Sequence, residues 1–345
     1  MGDVPEGIDR EGVTGWLAER TEVSPPLAFG VVEGGRSNLT FVVTDQEGRR
    51  WVLRRPPLHS VLPSAHDMSR EHTVMSALRA SHVPVPTMLG YEDDESVTGA
   101  EFYVMDFVPG EVIRDRDAAE SVLGPEARRA VSEQLVDVLA RLHAVDPDAV
   151  GLSEFGRKDG YVARQLRRWH GQLEQGSERE IPLLDEVYER LAAEIPEQGP
   201  ATIVHGDYRL DNVIVTKDGE IKAVLDWELC TLGDPLADVG LLSVYWSDPG
   251  DTTIPLLSAP TAIDGFARRA EVVARYGERS GRDLSQLGYY VAFAFWKLAI
   301  ILDGVYTRFA KGAYGDLEDR EVRRFADLVI ELAESADEAA RKAGR

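Results

Sequence analysis

The sequence lacks the means to form an internal disulfide, because only one of its 345 residues, Cys230, is a cysteine. A chain without disulfides fits a reducing compartment, so we expect a cytoplasmic protein. Cys230 directly follows an apolar segment, and we interpret it as a buried, unreactive thiol. The first ten residues carry acidic side chains and no apolar core, which does not fit a secretory signal.

Long uncharged apolar runs and an excess of positive charge are absent as well. The longest apolar run, residues 289–302, contains Lys297 and is short for a membrane span, so we interpret it as a buried core helix. The chain has 60 acidic residues against 38 lysines and arginines, a net charge of −22. Nucleic-acid binding needs basic patches that displace phosphate counterions. The sequence therefore predicts no membrane and no nucleic-acid partner.

What the sequence contains is typical of a globular protein with two lobes. Hydrophobic residues make up 43% and charged residues 28%, and the length exceeds what one hydrophobic core usually supports. Strand patterns dominate the first 108 residues, and helical periodicity dominates afterwards. We predict an α+β fold with a small β-sheet N-lobe, residues 1–108, and a mostly helical C-lobe, residues 109–345.

Local patterns give the individual elements. In the N-lobe we predict a helix at 69–80 and strands at 29–32, 39–43, 51–53 and 102–107. In the C-lobe we predict helices at 125–144, 159–175, 183–195 and from 235 onward, and short strands at 201–204, 212–216 and 220–225. The pair Asp218-Gly219 between the last two strands is a hairpin-turn signal.

One polar loop between apolar strands, residues 205–212, concentrates the side chains that can carry chemistry. The apolar strand after the predicted turn ends at Asp226, so a hairpin would bring Asn212 and Asp226 together, facing Asp207. Two oxygen ligands and a further carboxylate suit Mg²⁺ and a phosphoryl donor. The alternative, in which Asp207, Asp211 and Asn212 only cap turns, fits each residue alone better than it fits the whole set.

The motif His205-Gly206-Asp207, four residues, Asn212 resembles the catalytic loop of the aminoglycoside phosphotransferase and choline kinase group. Asp226-Trp227-Glu228 resembles the metal-binding Asp-Phe-Gly of kinases, and Gly233-Asp234-Pro235, two residues, Asp238 is also typical of the group. The third predicted strand is similar to that of the kinase-like domain fused to some acyl-CoA dehydrogenases. The resemblance covers nearly the whole chain. It implies a protein-kinase-like two-lobed fold and an ATP-dependent phosphotransferase that acts on a hydroxyl of a small molecule.

The resemblance also implies a role for each residue of these motifs. Asp207 would be the base that accepts or orients the proton of the acceptor hydroxyl. Asn212 and Asp226 would hold Mg²⁺ at the phosphates of ATP. Structural roles, as scaffold of the loop or as caps and braces, are implied for His205, Asp234 and Asp238.

The N-lobe would bind the nucleotide. The segment Gly34-Gly35-Arg36-Ser37-Asn38 resembles the group's phosphate-covering loop, in which Gly35, Ser37 and Asn38 would approach the phosphates. The sequence lacks Gly-x-Gly-x-x-Gly, and an ordinary hairpin turn is the alternative. Backbone groups at Met105 and Phe107 would receive the adenine edge.

Arg54 departs from the pattern, because kinases have a lysine at this place on the third strand. An arginine keeps the charge and can bind phosphate, with a different geometry from lysine. Glu71 on the following helix is the predicted ion-pair partner of Arg54; the alternative is a solvated surface glutamate. This departure favours a second hypothesis, a nucleotide-binding pseudokinase that acts as an interaction module. Protein kinase activity is disfavoured, because no Ala-Pro-Glu element is present.

The acceptor pocket is the least specified part of the sequence. The candidates are side chains of unusual character on the C-terminal helices and beside the motifs: Arg168, Trp169, Lys297, Arg308, Asp211 and Glu228. The basic and aromatic members would favour an anionic acceptor, whereas the two acids would equally bind a cationic amine. For Lys297 the alternative is exposure at the surface or pairing with Asp303.

Overall fold

The computed structural model describes residues 4–32, 38–58, 67–177, 179–251, 259–310 and 319–344. The chain forms two compact units. Unit 1 comprises Met1–Gly110 together with Lys222–Cys230, and unit 2 comprises Glu111–Ile221 together with Thr231–Arg345. Unit 1 is therefore discontinuous in sequence and includes the segment that carries Asp226.

The described residues of unit 1 form two helices and a five-stranded sheet. The elements are α1 (Arg10–Ala18), β1 (Ala28–Val31), β2 (Leu39–Thr44), β3 (Arg50–Arg55), α2 (Met68–Leu78), β4 (Met88–Glu92) and β5 (Phe102–Asp106). The strand order is β1-β2-β3-β5-β4, and all neighbouring strands are antiparallel. The predicted strands and the predicted helix of this part are confirmed, with ends shifted by a few residues.

The two faces of this sheet pack differently. Period-two alternation places Phe41, Leu53 and Val104 on one face, where they form the core of unit 1 with the buried side of α1. The next residue of β3, Arg54, points to the opposite face, beside its register partner Tyr103. Because α2 packs against β4 and β5, side chains of that helix lie close to Arg54.

The strand β4 was not predicted from the sequence. It reads Met-Leu-Gly-Tyr-Glu, without β-branched residues, and its register against β5 shifts between Met88 and Gly90. A Cβ added at Gly90 would lie 3.2 Å from the ring of Trp16, so the backbone approaches α1 closely here. The segment is a strand because it pairs with β5 and packs closely on α1. Its own β-propensity does not favour a strand.

Unit 2 is mostly helical. Its helices are α3 (Arg116–Val122), α4 (Pro125–Ala144), α5 (Tyr161–Gly176), α6 (Pro182–Ala193), α7 (Leu236–Tyr245), α8 (Arg269–Ser280), α9 (Leu287–Ala310) and α10 (Asp319–Lys342). Short strands are β6 (Thr202–Val204), β7 (Val213–Val215), β8 (Ile221–Val224), which continues into unit 1, and β9 (Thr231–Gly233). β6 and β9 pair antiparallel. The predicted helix at 159–175 begins at Tyr161, because Gly160 has a left-handed φ of 61°.

The predicted hairpin turn at Asp218-Gly219 is confirmed. Thr216 N donates to Glu220 O at 2.9 Å, and Gly219 has a φ of 81°. A Cβ added at Gly219 would lie 2.3 Å from the carbonyl oxygen of Ala127, so glycine is required for two independent reasons. The turn fixes where β7 ends and β8 begins.

Helix α9 is the central helix of unit 2. Its stretch Leu287–Arg308 is long and apolar enough to cross a membrane by length and composition. In this fold most of that stretch is buried, and α9 packs against α7 and α10. These contacts are those of a core helix in a globular unit.

Candidate active site

The polar loop is held by a carboxylate from α7. Asp238 Oδ2 accepts from His205 N at 2.7 Å, and its Oδ1 accepts from Gly206 N at 2.8 Å. His143 Nε2 lies 3.2 Å from the same Oδ2. Although burial opposes ionisation, the hydrogen bonds from His143 and Gly206 keep the pKa of Asp238 below its usual value. The predicted bracing role of Asp238 is confirmed.

Two further motif residues also have structural contacts. His205 is fully buried, and its Nδ1 accepts from Asp207 N at 3.3 Å, as expected of a scaffold residue. Asp234 accepts from Leu236 N at 3.0 Å, at the start of α7, and from Tyr290 Oη at 2.7 Å. The loop is therefore built on buried polar groups that are each hydrogen-bonded.

Asp207 and Asn212 lie together in unit 2. A 3₁₀ turn over Leu210–Asn212 folds the loop back, and Asn212 Nδ2 donates to the backbone oxygen of Asp207 at 2.8 Å and to its Oδ2 at 2.9 Å. Burial raises the pKa of the Tyr245 hydroxyl, and the nearby Asp207 carboxylate adds to that rise. Asn212 therefore holds the Asp207 carboxylate in place within unit 2.

Sequence reasoning missed Arg209 and Tyr245. Arg209 Nε lies 2.9 Å from Asp211 Oδ1 and 3.4 Å from Asp207 Oδ2, and its guanidinium lies 4.7 Å from the centre of the Tyr245 ring. Burial raises the pKa of Asp211 to about 6, and Arg209 opposes that rise. An arginine two residues after Asp207 was a visible signal; Tyr245, at the end of α7, gave none.

In unit 1 a single arginine lies among three carboxylates. Arg54 Nη2 donates to Asp226 Oδ1 at 2.8 Å, and it lies 3.9 Å from Glu228 Oε2. Arg54 Nε lies 3.6 Å from Glu71 Oε1. The predicted Arg54–Glu71 ion pair is confirmed. The alternative of a solvated glutamate is wrong, because the Glu71 side chain is only 1% exposed.

Glu71 is bound from three sides. Besides Arg54, it accepts from Tyr103 Oη at 3.1 Å and from Asn38 Nδ2 at 3.3 Å. Burial raises the pKa of Glu71 to about 7, against the opposing charge of Arg54. Asn38, predicted to approach the phosphates, is buried and binds Glu71 here. Gly35 and Ser37, predicted for the same loop, lie outside the described residues.

Asp226 has an unusual backbone conformation. Its φ is 63°, in the left-handed region, and it is the only described residue other than glycine with a positive φ. The turn that follows is closed by Trp227 Nε1, which donates to Val224 O at 3.1 Å, and by Cys230 N, which donates to Trp227 O at 3.0 Å. Cys230 is buried, as predicted. The turn directs the Asp226 carboxylate to Arg54.

The predicted adenine-binding backbone lies at the end of β5. Met105 is the register partner of Val52, inside the sheet. Phe107 N donates to Arg50 O at 3.4 Å, so this donor has a partner within unit 1. The assignment of Met105 and Phe107 to adenine stays a prediction.

Three of the four cationic or aromatic acceptor candidates cluster in unit 2. Lys297 Nζ donates to Gly206 O at 3.1 Å and lies 5.5 Å from the centre of the Trp169 ring. The Arg168 guanidinium lies 5.3 Å from the same ring. Arg308 is exposed and lies eleven residues after Lys297 on α9, roughly 16 Å along the helix axis. The structure therefore separates Arg308 from the cluster.

Both alternatives for Lys297 are wrong. The residue is 7% exposed, so it does not reach the surface. Asp303 does not pair with it, because Asp303 Oδ1 instead accepts from Arg179 Nε at 2.8 Å. The buried ammonium is bound to the polar loop itself.

Replacing Arg54 with methionine is expected to lower the free energy of unfolding by about 3 kcal/mol, because Glu71 would keep its burial and lose its counter-charge. The double variant R54M/E71Q is expected to recover about 1–2 kcal/mol, since glutamine removes the unpaired charge. Urea unfolding of the wild type, both single variants and the double variant measures this coupling. The control is Arg50→Met, at an exposed position of the same strand. Simple additivity of the two substitutions would contradict the expectation.

The sequence profile of the family described as "Phosphotransferase enzyme family" matches residues 29–287. The mouse (Mus musculus) protein named acyl-CoA dehydrogenase family member 10 is 34% identical over 319 residues, which are 91% of this chain and 29% of that protein. The chain thus spans less than a third of that relative. A provisionally named aminoglycoside phosphotransferase from Ralstonia eutropha is 31% identical, with a TM-score of 0.80, covering 97% of this chain and 98% of that one.

A more distant structure shows the fold alone. It is a thermostable mutant of an aminoglycoside phosphotransferase in a ternary complex with AMP-PNP and hygromycin B. It is 18% identical, with a TM-score of 0.60, and the match covers 96% of this chain and 99% of that one. The predicted α+β, kinase-like fold is confirmed by these likenesses, and so is the predicted resemblance to the aminoglycoside phosphotransferase group.

Proposed function

Because the chain belongs to the phosphotransferase enzyme family, we propose that it transfers the γ-phosphate of ATP to a hydroxyl group of a small molecule. The observation that carries this proposal is the Asp207 carboxylate, which Asn212 holds in a loop braced by Asp238. An acceptor hydroxyl in hydrogen-bond reach would donate its proton to Asp207 as the new oxygen–phosphorus bond forms and ADP leaves. A related fold that binds AMP-PNP with a small acceptor supports the choice of substrates.

We propose Asn212 and Asp226 as the protein ligands of Mg²⁺, which when bound would neutralise charge on the ATP phosphates. The donor atoms fit. Asn212 uses its amide nitrogen on Asp207, which leaves Oδ1, a ligand type that Mg²⁺ accepts. Asp226 uses Oδ1 on Arg54, and its side chain is 33% exposed. No group of three or more His, Cys, Asp or Glu suited to a metal occurs within the described ranges, so phosphate oxygens would complete the coordination.

We further propose that the acceptor carries a negative charge. The two acids that would bind an amine already have cationic neighbours: Asp211 lies 2.9 Å from Arg209, and Glu228 lies 3.9 Å from Arg54. Arg168, by contrast, forms no ion pair with any residue that the structure describes, and it stacks beside a buried tryptophan. A phosphate or carboxylate on the acceptor would supply the counter-charge that Arg168 lacks.

Replacing Arg168 with alanine is expected to raise KM for phosphate- or carboxylate-bearing alcohols about tenfold, because one charge-assisted contact is lost. For neutral alcohols KM is expected to stay unchanged. Steady-state kinetics with matched charged and neutral acceptors measures the difference. The control is Arg324→Ala, an exposed arginine on α10. An equal change of KM for both acceptor types would contradict an anion contact at Arg168.

The experiment for the function itself is an acceptor panel. Purified protein is incubated with γ-labelled ATP, Mg²⁺ and phosphate-bearing, carboxylate-bearing, neutral and amine-bearing alcohols, and labelled phosphomonoesters are separated from ATP. Acceptor-dependent transfer that disappears with EDTA supports the proposal. ATP binding without transfer to any acceptor class would contradict it.

One observation favours a second function, a nucleotide-binding pseudokinase that acts as an interaction module. Arg54 replaces the usual lysine and binds Asp226, the proposed metal ligand, at 2.8 Å. Such a protein would bind ATP equally well with and without Mg²⁺. Thermal shifts with ATP in Mg²⁺ and in EDTA distinguish the two: a shift that requires Mg²⁺ supports the enzyme, and equal shifts support the pseudokinase.

A further inference from the structure

A charged side chain in the middle of the apolar helix α9 contacts the polar loop. Lys297 Nζ donates to the carbonyl oxygen of Gly206, the residue directly before Asp207, at 3.1 Å. The surrounding α9 side chains are apolar, and Lys297 itself is buried. Burying an ammonium is costly unless it is compensated, so a lysine at this position needs a reason that packing does not supply.

The surroundings of this ammonium leave it little room. A cavity of about 10 Å³ lies beside it, lined among others by Gly206, Asp238 and Phe293, and it is too small for more than one water. Trp169 lies on another side, with its ring centre 5.5 Å from Nζ. Gly206 O is therefore the principal acceptor that the described part of the chain offers to Lys297.

Both backbone polar groups of Gly206 form hydrogen bonds. Its N–H donates to Asp238, and its carbonyl accepts from Lys297. Gly206 also has a φ of 87°, which glycine adopts without the steric cost that a side chain would add. One contact comes from α7 and the other from α9. Together they fix the two peptide planes that flank Gly206, and the second of these planes leads directly to Asp207.

Two carboxylates of opposite charge lie near Lys297. Burial lowers the pKa of Lys297, while Asp207 and Asp238 oppose that shift. Lys297 and Asp238 are buried, whereas the Asp207 side chain is 23% exposed, and Lys297 offsets part of the negative charge of both carboxylates.

We propose that Lys297 is a positioning residue for phosphoryl transfer, which fixes the Gly206 carbonyl and thereby the place of the Asp207 carboxylate. The expected fall in kcat rests on the proposed function. The expected loosening of the polar loop rests on the loop contacts alone. This role assigns Lys297 to the polar loop rather than to the acceptor. It also explains why a lysine interrupts the apolar pattern of α9.

The test compares Lys297→Met and Lys297→Arg with Tyr289→Phe. The Tyr289 hydroxyl donates to Leu191 O at 2.8 Å, so Y289F removes a buried hydrogen bond to a backbone carbonyl from the same helix, away from the polar loop. K297M is expected to lower kcat about 100-fold, because a small misplacement of the base has that effect. KM for ATP should change by less than roughly threefold. The kcat of K297R should be about tenfold higher than that of K297M.

Backbone hydrogen exchange gives a second readout that does not need activity. In K297M the amides of His205 and Gly206 are expected to exchange about tenfold faster, while amides elsewhere in unit 2 stay as protected as in Y289F. If the wild type transfers no phosphate, the proposed function fails. The exchange comparison still shows whether Lys297 holds the polar loop in place. Loop amides as protected in K297M as in Y289F would overturn the proposal. So would a fall in kcat no larger in K297M than in Y289F.

Discussion

Replacing Asp207 with asparagine is expected to lower kcat about 1,000-fold, because asparagine cannot accept the proton of the acceptor hydroxyl. The amide is similar in size to the carboxylate, so the fold and the hydrogen bond to Asn212 lose little. Nucleotide affinity, measured by titration calorimetry with a non-hydrolysable ATP analogue, is expected to stay within roughly threefold of the wild type. Rapid-quench turnover with the best acceptor of the panel measures kcat.

The matched control is Asp218→Asn, which makes the same chemical change at an exposed residue of the β7–β8 turn. This variant should behave like the wild type in turnover and in nucleotide binding. Turnover by D207N at the wild-type rate would show that Asp207 is not the base. A D207N protein that no longer binds nucleotide would show instead that the substitution disrupts the site as a whole.

Replacing Asp238 with asparagine is expected to lower the free energy of unfolding by about 3–5 kcal/mol, since it breaks a buried charged network. Asp238 accepts from two backbone N–H groups and contacts His143. An asparagine has one oxygen, so its amide nitrogen would face a donor instead of accepting from it. Turnover should fall as well, because the polar loop loses its attachment to α7. Denaturant unfolding and kinetics on the same preparations measure both effects.

The control for this variant is Asp283→Asn, at an exposed residue before α9 whose carboxylate accepts from Ser285, two positions along the chain. It should unfold as the wild type does. A D238N protein with wild-type stability would contradict the view that Asp238 is the main anchor of the loop. Normal stability with normal turnover would contradict it most strongly.

Much of this site could be predicted from the sequence because its key contacts are local. Asp207 and Asn212 are five residues apart, and a single 3₁₀ turn brings their side chains together. The turn at Gly219 was predicted from the dipeptide Asp218-Gly219 alone. The ion pair of Arg54 with Glu71 followed from the order of strand and helix in a known pattern.

Contacts between residues far apart in the sequence escaped prediction. Lys297 stood out because it interrupts an apolar helix, yet its partner, Gly206, lies 91 residues earlier. Arg54 and Asp226 are 172 residues apart, and neither local pattern points to the other. Tyr245 gave no signal, because a tyrosine at the end of an apolar helix is ordinary. Such pairs are set by how helices and strands pack, which one sequence does not specify.

We propose that this chain moves a phosphoryl group from ATP to an alcohol with Asp207 as base. Phosphorus NMR of the protein with ATP, Mg²⁺ and an anionic alcohol tests it most directly, because donor, product and ADP appear in one spectrum. We predict a new phosphomonoester resonance that grows in step with ADP in the wild type and is missing in D207N. ADP formed with inorganic phosphate alone, or an ester resonance of equal size in D207N, would contradict the claim.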